Sequence, residues 1–192
     1  VAQAIGFVCA ALTLALVVVL TRWACPSPAA MITAAGLFGG CGAVAAWSVS
    51  GLETCLAGCL TMGALCAFIQ AGESGRVPTW VGGLGAAGCM TRPDFALVLL
   101  VLSICHLIPS GREGLVAGLR RLSPALIVFA ALFLPYFAWR WHYYGDLLPN
   151  TYYVKVGSGP SAWMRGARYL LSFLLNFGGP LVWAGLPALL LT

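Results

Sequence analysis

Charged side chains are scarce in this chain: they make up 8% of the 192 residues, whereas a soluble domain carries roughly 25%. The basic residues are scattered and form no cluster that would bind nucleic acid. Between the charges lie long uncharged runs, which are 1–21, 23–52, 54–72, 77–91, 95–111, 122–139 and 169–192. Since a helix needs about 20 mostly apolar residues to cross a bilayer, these runs predict an all-α, polytopic transmembrane helical bundle. The composition excludes a soluble enzyme and a disordered chain.

Closely paired cysteines are also lacking, although the chain has eight cysteines. Most of them lie inside apolar runs, where cysteine behaves as a small hydrophobic residue. Cys55 and Cys59 are four residues apart on one predicted helix, but no histidine is near them in the sequence. We therefore expect neither a metal nor a redox role for these thiols.

The uncharged runs predict a single transmembrane domain over residues 1–192 with about seven spans. These spans lie near 4–21, 29–47, 53–71, 77–91, 95–109, 122–139 and 180–192. The first run has no basic leader and no cleavage site, so no signal peptide is predicted. Because the chain begins at Val1 and stops inside apolar sequence, we expect it to be a piece of a longer protein.

Two segments near the end of the chain are not predicted to cross the membrane. Residues 140–160 are expected to form an external loop. Residues 161–177 are expected to form an amphipathic helix parallel to the membrane surface, because leucines occupy one side and polar residues the other. The polar side consists of Arg165, Arg168, Ser172 and Asn176.

Glycines inside two of the predicted spans indicate where helices approach each other closely. Membrane helices pack best where small residues let their backbones come together, because lipid provides no hydrophobic force between them. The glycines in question are Gly36, Gly40, Gly82, Gly83, Gly85 and Gly88. Tryptophans near the ends of the spans are expected to be anchors at the lipid–water interface.

If every span crosses, the connecting segments alternate between two faces of the membrane. One face holds 22–28, 72–76 and 110–121, and the other holds 48–53, 92–94 and 140–168. Each face has five basic residues, but the short loops weigh more in orientation, so the first face is predicted to be cytoplasmic. Ionisable groups near a membrane are costly, so those gathered on the outer face are a candidate site. They are Glu53, Arg92, Asp94, Asp146 and Lys155.

The segment from Arg140 to Gly157 is the strongest functional candidate, because it combines four tyrosines with a histidine, an aspartate, an asparagine and the one lysine of the chain. Long connections with such side chains are usually functional. Tyrosine rings suit sugars, and lysine suits a phosphate. His142 is a candidate for proton transfer or hydrogen bonding. The alternative is an interfacial loop with anchoring aromatic residues.

Two shorter motifs can each be explained by structure as well as by function. In Thr91-Arg92-Pro93-Asp94, the proline separates two helices, and Arg92 beside a helix start suggests an anion site. Alternatively, Asp94 caps the helix and Arg92 extends toward the interface. Ser50 and Glu53 have the spacing of a capping box before an apolar helix. His106 is expected to be an interfacial histidine on the opposite face.

Three of these pieces together, GLET at 51–54, TRPD at 91–94 and YYGDLLPNTYYVK at 143–155, resemble the bacterial GT-C membrane glycosyltransferases. The resemblance is greatest to those related to the mycobacterial terminal arabinofuranosyltransferase, and it covers about residues 50–157. It implies an enzyme of the bacterial inner membrane that moves a sugar from a polyprenyl-phosphate donor to a cell-envelope glycan, lipid or protein on the outer face. In that superfamily the catalytic carboxylate usually lies in the first external loop. No acidic residue precedes Glu53, so the general base remains unassigned and this segment alone is not expected to turn over.

The resemblance, together with the chemistry of sugar transfer, gives each candidate residue a role. Transfer from a lipid phosphate needs positive charge for the leaving phosphate, which we assign to Arg92 and Lys155. The sugar or acceptor is expected to contact Glu53, Asp94, His142, Tyr143, Tyr144, Asp146, Asn150 and Tyr152. A divalent cation on Asp94 or Asp146 is compatible with this chemistry, but no metal-ligand spacing supports it.

Two other functions compete with glycosyl transfer. A transporter or flippase for a lipid-linked or small anionic substrate would place polar groups at mid-membrane, in broken helices. Here the predicted spans are nearly free of charge, which favours chemistry at the interface. A non-catalytic membrane scaffold would not need the tyrosine-rich segment.

Overall fold

The described part of the chain is helical throughout. The computed structural model describes residues 1–51, 53–107, 114–146 and 160–175. Of these residues 87% are in helices, and no strand occurs among them. The helices are α1 (Ala2–Ala24), α2 (Pro28–Gly39), α3 (Gly42–Val49), α4 (Thr54–Ser74), α5 (Trp80–Thr91), α6 (Phe95–Leu107), α7 (Gly114–Tyr144) and α8 (Pro160–Phe173). The all-α prediction is confirmed for this part.

Three of these helices are long and apolar enough to cross a membrane. The stretches that qualify are Ala2–Ala24, Thr54–Gly72 and Val116–Tyr144, and a fourth is added if the bent pair α2–α3 counts as one span. The helices α5 and α6, with 12 and 13 residues, are each only about 18–20 Å long, whereas the hydrocarbon core is about 30 Å thick. The count of seven spans therefore stays a prediction, and residues 180–192 lie outside the described residues.

The single helix predicted over 29–47 is divided in two. The axes of α2 and α3 differ by 56° across a break of two residues, Gly40 and Cys41. Gly40 ends α2 with its N–H bonded to the Gly36 carbonyl, 2.8 Å away. Three glycines within four residues make this the weakest helix-forming stretch of the run, because glycine costs about 1 kcal/mol relative to alanine in a helix.

The external loop predicted to begin at residue 140 begins later. Helix α7 continues through the aromatic residues 141–144 and ends where Gly145 adopts a left-handed conformation, with φ of 75°. Its N–H bonds to the Trp141 carbonyl oxygen at 2.8 Å, which closes the last turn. No residue before Gly145 favours this conformation, so the helix continues past the point where the charge at Arg140 suggested an end.

The chain divides into two compact units, residues 1–140 and 141–192. In the first unit, α1 packs against α4, and α4 also contacts α5 and α6. Two adjoining hydrophobic clusters fill the space between α4, α5, α6 and the first half of α7. Their members include Ala64, Phe68, Ala71, Val81, Cys89, Phe95, Leu122, Ala125 and Phe129.

The closest helix contacts lie on α5, as the glycine pattern predicted. A methyl carbon placed on Gly82 would overlap the backbone of α7 at Ala125 and Phe129. One placed on Gly88 would overlap the ring of Phe95 on α6. Only glycine allows these approaches, which brings α6 and α7 directly against α5. By contrast, Gly36 has nothing within 4 Å of such a carbon, so its predicted packing role is not seen in the described residues.

The second unit contains the amphipathic helix expected over 161–177. It is present as α8, from Pro160 to Phe173. Residues 176 and 177, including the predicted polar residue Asn176, lie outside the described residues.

Candidate functional site

The turn between α5 and α6 positions two of the predicted site residues. Arg92 ends α5 in an extended conformation, with φ of −143° and ψ of 122°, and its N–H bonds to the Gly88 carbonyl at 2.8 Å. The following Pro93 requires this conformation, because its ring clashes with a helical residue before it. Helix α6 then starts at Phe95, so the predicted break at Pro93 is confirmed.

Within this turn, Arg92 and Asp94 form a two-pronged ion pair. The Nε and Nη2 atoms of Arg92 donate to Oδ1 and Oδ2 of Asp94, each at 3.0 Å. The side chains are 40% and 60% exposed, so the pair faces solvent or headgroups. The pairing engages two of the five guanidinium N–H groups and leaves three for a ligand.

The electrostatics of this turn extend to the start of α4. The hydrogen bonds that Arg92 donates to Asp94 raise the pKa of Arg92 above its usual value, partial burial opposes the rise, and the negative charges of Asp94 and Glu53 add to it. The same hydrogen bond lowers the pKa of Asp94, although burial opposes the decrease. Glu53 is therefore close enough to act on Arg92, as expected for 48–53 and 92–94 on one face. One positive and two negative charges give these three residues a formal charge of −1.

The capping box predicted for Ser50 and Glu53 is wrong. Helix α4 starts at Thr54 with Glu53 as its N-cap, so Ser50 lies three residues before the cap position, and the Glu53 side chain makes no capping hydrogen bond. The Ser50 hydroxyl instead donates to the Trp47 carbonyl oxygen, 2.9 Å away, at the end of α3. The S-x-x-E spacing is matched, but the left-handed turn at Gly51 (φ of 73°) separates Ser50 from the helix.

The start of α1 lies at the same end of the first unit. A methyl carbon placed on Gly51 would lie 3.5 Å from Cβ of Ala2 and 3.9 Å from Cγ of Gln3. Gln3 therefore brings an exposed amide to the end of the unit that holds Glu53. Sequence reasoning missed Gln3, although a single polar residue within the first twelve is a usable signal.

The tyrosine pair of the second unit lies on the last turn of α7. The rings of Tyr143 and Tyr144 meet edge to face, with centroids 4.8 Å apart, and both are exposed. His142 precedes them on the same turn, and Asp146 follows the helix end at Gly145. These four residues therefore surround a helix terminus rather than lining a loop. The other three predicted contacts, Asn150, Tyr152 and Lys155, lie outside the described residues.

The opposite end of the first unit contains residues assigned to the other face. The Arg121 guanidinium carbon is 3.7 Å from a methyl carbon placed on Gly75, and the Val77 N–H bonds to the Arg121 carbonyl at 3.4 Å. The ring of His106 meets Phe68 edge to face at 6.0 Å. Gly75, Val77 and Arg121 thus lie at the same end of the first unit.

No cofactor or metal site can be assigned from the described residues. Among them, no group of three or more histidine, cysteine, aspartate or glutamate side chains is placed to hold a metal ion. Comparison of the chain with protein-family models, curated proteins and solved structures finds no match to any of them.

Proposed function

We propose that the protein is a GT-C-type membrane glycosyltransferase, which moves a sugar from a polyprenyl-phosphate donor to a cell-envelope acceptor on the outer face of a bacterial inner membrane. The observation that carries the proposal is the position of Arg92. It lies at one end of the helical unit, bonded to Asp94 and within electrostatic range of Glu53. This arrangement supports binding of a phosphate and of sugar hydroxyls at a membrane surface.

The proposed chemistry divides the roles between the charges. Arg92 and Lys155 hold the donor phosphate, and Glu53 and Asp94 accept hydrogen bonds from hydroxyls of the sugar. Arg92 still has three N–H groups after pairing with Asp94. Because the described charges at this end sum to −1, the site needs the further positive charge of Lys155.

Aromatic and polar residues at the end of α7 and in the segment after it are proposed to contribute the remaining contacts. Tyr143 and Tyr144 offer exposed rings to a sugar, and His142, Asp146, Asn150 and Tyr152 add hydrogen-bonding groups. The general base is unassigned.

The proposed architecture is a bundle of about seven spans with α8 at the interface. In this arrangement α5 and α6 each cross the membrane, although both helices are short. Their length is compatible with crossing where neighbouring protein, rather than lipid, surrounds them. Val81, Gly85, Ala86 and Cys89 of α5 are buried against neighbouring helices, which supports this.

A transporter or flippase for a lipid-linked anion is the second candidate. One observation favours it: the break between α2 and α3, with its 56° bend, resembles the broken helices that bind substrates in transporters. No charged residue lies between Arg22 and Glu53, so the break carries no charged side chain to pair with an anion.

Donor binding tests the site. Polyprenyl phosphate would be titrated against the purified protein in detergent, and bound lipid would be counted by native mass spectrometry. Charge-assisted bonds contribute roughly 1.5–3 kcal/mol, so Arg92→Gln should weaken binding about ten- to hundredfold. Arg22→Gln removes the same charge from the opposite predicted face and serves as the control. Equal losses in both variants, or equal affinity for polyprenol without phosphate, would contradict the assignment.

A second assay distinguishes the two candidate functions. A fluorescent polyprenyl-phosphate sugar would be placed in one leaflet of proteoliposomes with a glycan acceptor outside. A glycosyltransferase yields a labelled acceptor, whereas a flippase moves the intact lipid to the leaflet where dithionite quenches it. Lipid movement without labelled acceptor would replace the first proposal with the second.

A further inference from the structure

The helix α8 has an apolar side that nothing in the described residues covers. At about 100° per residue, Trp163 and Leu170 fall within about 20° of each other around the helix, and Leu174 follows directly after its last residue. Trp163 is 83% exposed and Leu170 is 58% exposed. Isolated exposed leucines are ordinary, but a continuous apolar side on a helix marks an interaction surface.

The opposite side of α8 is cationic. Arg165, Arg168 and Ser172 fall within about 60° of one another and project away from Trp163. No acidic residue lies anywhere between Asp146 and the last residue of the sequence, so nothing within this stretch neutralises the two arginines. A partner of α8 must therefore bring apolar groups to the side of Trp163 and negative charge within reach of Arg165 and Arg168.

The helix α8 is too short to cross the membrane. Its 14 residues span about 21 Å, which is less than the roughly 30 Å of a hydrocarbon core. Two arginines on one side also make insertion across the core costly. A helix of this length and pattern is instead suited to lie within an interface.

The same unit shows where a bilayer surface would be. The end of α7 exposes Trp141, Tyr143 and Tyr144, the residue types that mark membrane interfaces. Residues 145–159 connect it to α8, and even fully extended they reach only about 50 Å. The chain therefore limits the distance between the start of α8 and this aromatic-rich helix end to about 50 Å.

We propose that α8 is a docking surface for anionic phospholipid. Trp163, Leu170 and Leu174 enter the acyl region, and Arg165 and Arg168 bind phosphate groups of the lipids. This inference does not depend on the proposed sugar transfer, and it selects a lipid surface over an acidic helix of a partner protein.

Photocrosslinking in the full chain identifies what covers the apolar side. The residue p-benzoylphenylalanine would replace Leu170 and, as a matched control on the polar side, Ser172. The protein would be reconstituted in nanodiscs of equal phosphatidylcholine and phosphatidylglycerol, and adducts would be read by mass spectrometry. Lipid adducts at 170 in large excess over 172 support the proposal. Protein adducts at 170, or equal lipid yields at both positions, overturn it.

The charge preference is tested in the same nanodiscs. Each arginine near an anionic surface is worth about 1 kcal/mol, which corresponds to about fivefold in lipid preference. Arg165→Gln with Arg168→Gln should therefore lower the ratio of phosphatidylglycerol to phosphatidylcholine adducts by up to roughly thirtyfold. Arg22→Gln with Arg120→Gln removes the same total charge elsewhere and should leave the ratio at position 170 unchanged. An unchanged ratio in the α8 variant overturns the assignment of anionic lipid.

Discussion

The contact between α5 and α7 at Gly82 gives a stability prediction with a built-in control. In Gly82→Ala, the new methyl group would overlap the Ala125 carbonyl oxygen and the Phe129 amide nitrogen. Both are backbone atoms of a helix, so they cannot move aside as a side chain would, and α7 must shift. Overpacking of this kind costs about 1–3 kcal/mol.

The neighbouring Gly83 is the matched control. A methyl group there would meet only Cδ1 of Leu132, at an ordinary contact distance of 3.8 Å. Gly83→Ala should therefore gain helix propensity, about 1 kcal/mol, without a clash. Both variants gain this propensity on the same helix, so they should differ in unfolding free energy by the overpacking cost alone, about 1–3 kcal/mol.

Tryptophan fluorescence during heating in detergent measures the difference. For a chain of this size 1 kcal/mol shifts the melting temperature by about 2–4 °C, so the two variants should differ by roughly 2–12 °C. Gly83→Ala is expected to melt at or above the unmodified protein. Equal melting temperatures for the two variants would refute the close approach of α5 and α7.

Three further predictions concern individual residues. Arg92→Gln should change the unfolding free energy by less than about 1 kcal/mol, because its ion pair with Asp94 is exposed; a larger loss in denaturant titration would mean a structural role. The pKa of Asp94 is lowered in the folded protein, so its contribution to stability is present above the usual aspartate pKa and is lost as the pH falls through the lowered pKa. Asp94→Asn should therefore remove this part of the dependence of the melting temperature on pH. An unchanged pH dependence would count against the ion pair. Gly145→Ala should destabilise by about 1 kcal/mol or more because φ is 75°, whereas Gly166→Ala inside α8 should not; helicity measured by circular dichroism checks both.

The elements that sequence predicts well are those decided by local composition. The uncharged runs around α1 and α4 predict helices whose ends agree with the structure within a few residues. Pro93 fixes the conformation of the residue before it, so the turn between α5 and α6 follows from the sequence alone. These features depend on neighbours in the chain and need no tertiary information.

The elements that sequence predicts poorly depend on glycine context. Gly40 and Gly82 lie in similar apolar runs, yet Gly40 ends a helix and Gly82 packs against one. The difference depends on whether another helix is near enough to use the missing side chain, which no local pattern contains. The capping box at Ser50 failed for a related reason, because Gly51 turned the chain before the helix began.

The formal charge near Arg92 leads to the most discriminating test of the proposed site. At about 4 Å and an effective dielectric constant near 20, a pair of unit charges contributes roughly 4 kcal/mol. In the proposed site Arg92 attracts the phosphate and the carboxylates of Glu53 and Asp94 repel it, so we propose that Lys155 supplies the further positive charge. Lys155→Gln should therefore weaken binding of polyprenyl phosphate about ten- to hundredfold, as expected for Arg92→Gln.

The phosphate binding lost in Lys155→Gln should return when the negative charge of Asp94 is removed as well. In the double variant Lys155→Gln with Asp94→Asn, the charges of Arg92, Glu53 and residue 94 sum to zero instead of −1, so phosphate affinity should return at least in part. Asp94→Asn alone should bind phosphate more tightly than the unmodified protein, because Arg92 then acts without its neutralising partner. Titrations at low and high salt give the electrostatic part of each change, since screening weakens exposed charges. If the double variant binds no better than Lys155→Gln, the phosphate does not lie beside Arg92 and Asp94, and their ion pair serves only to shape the turn.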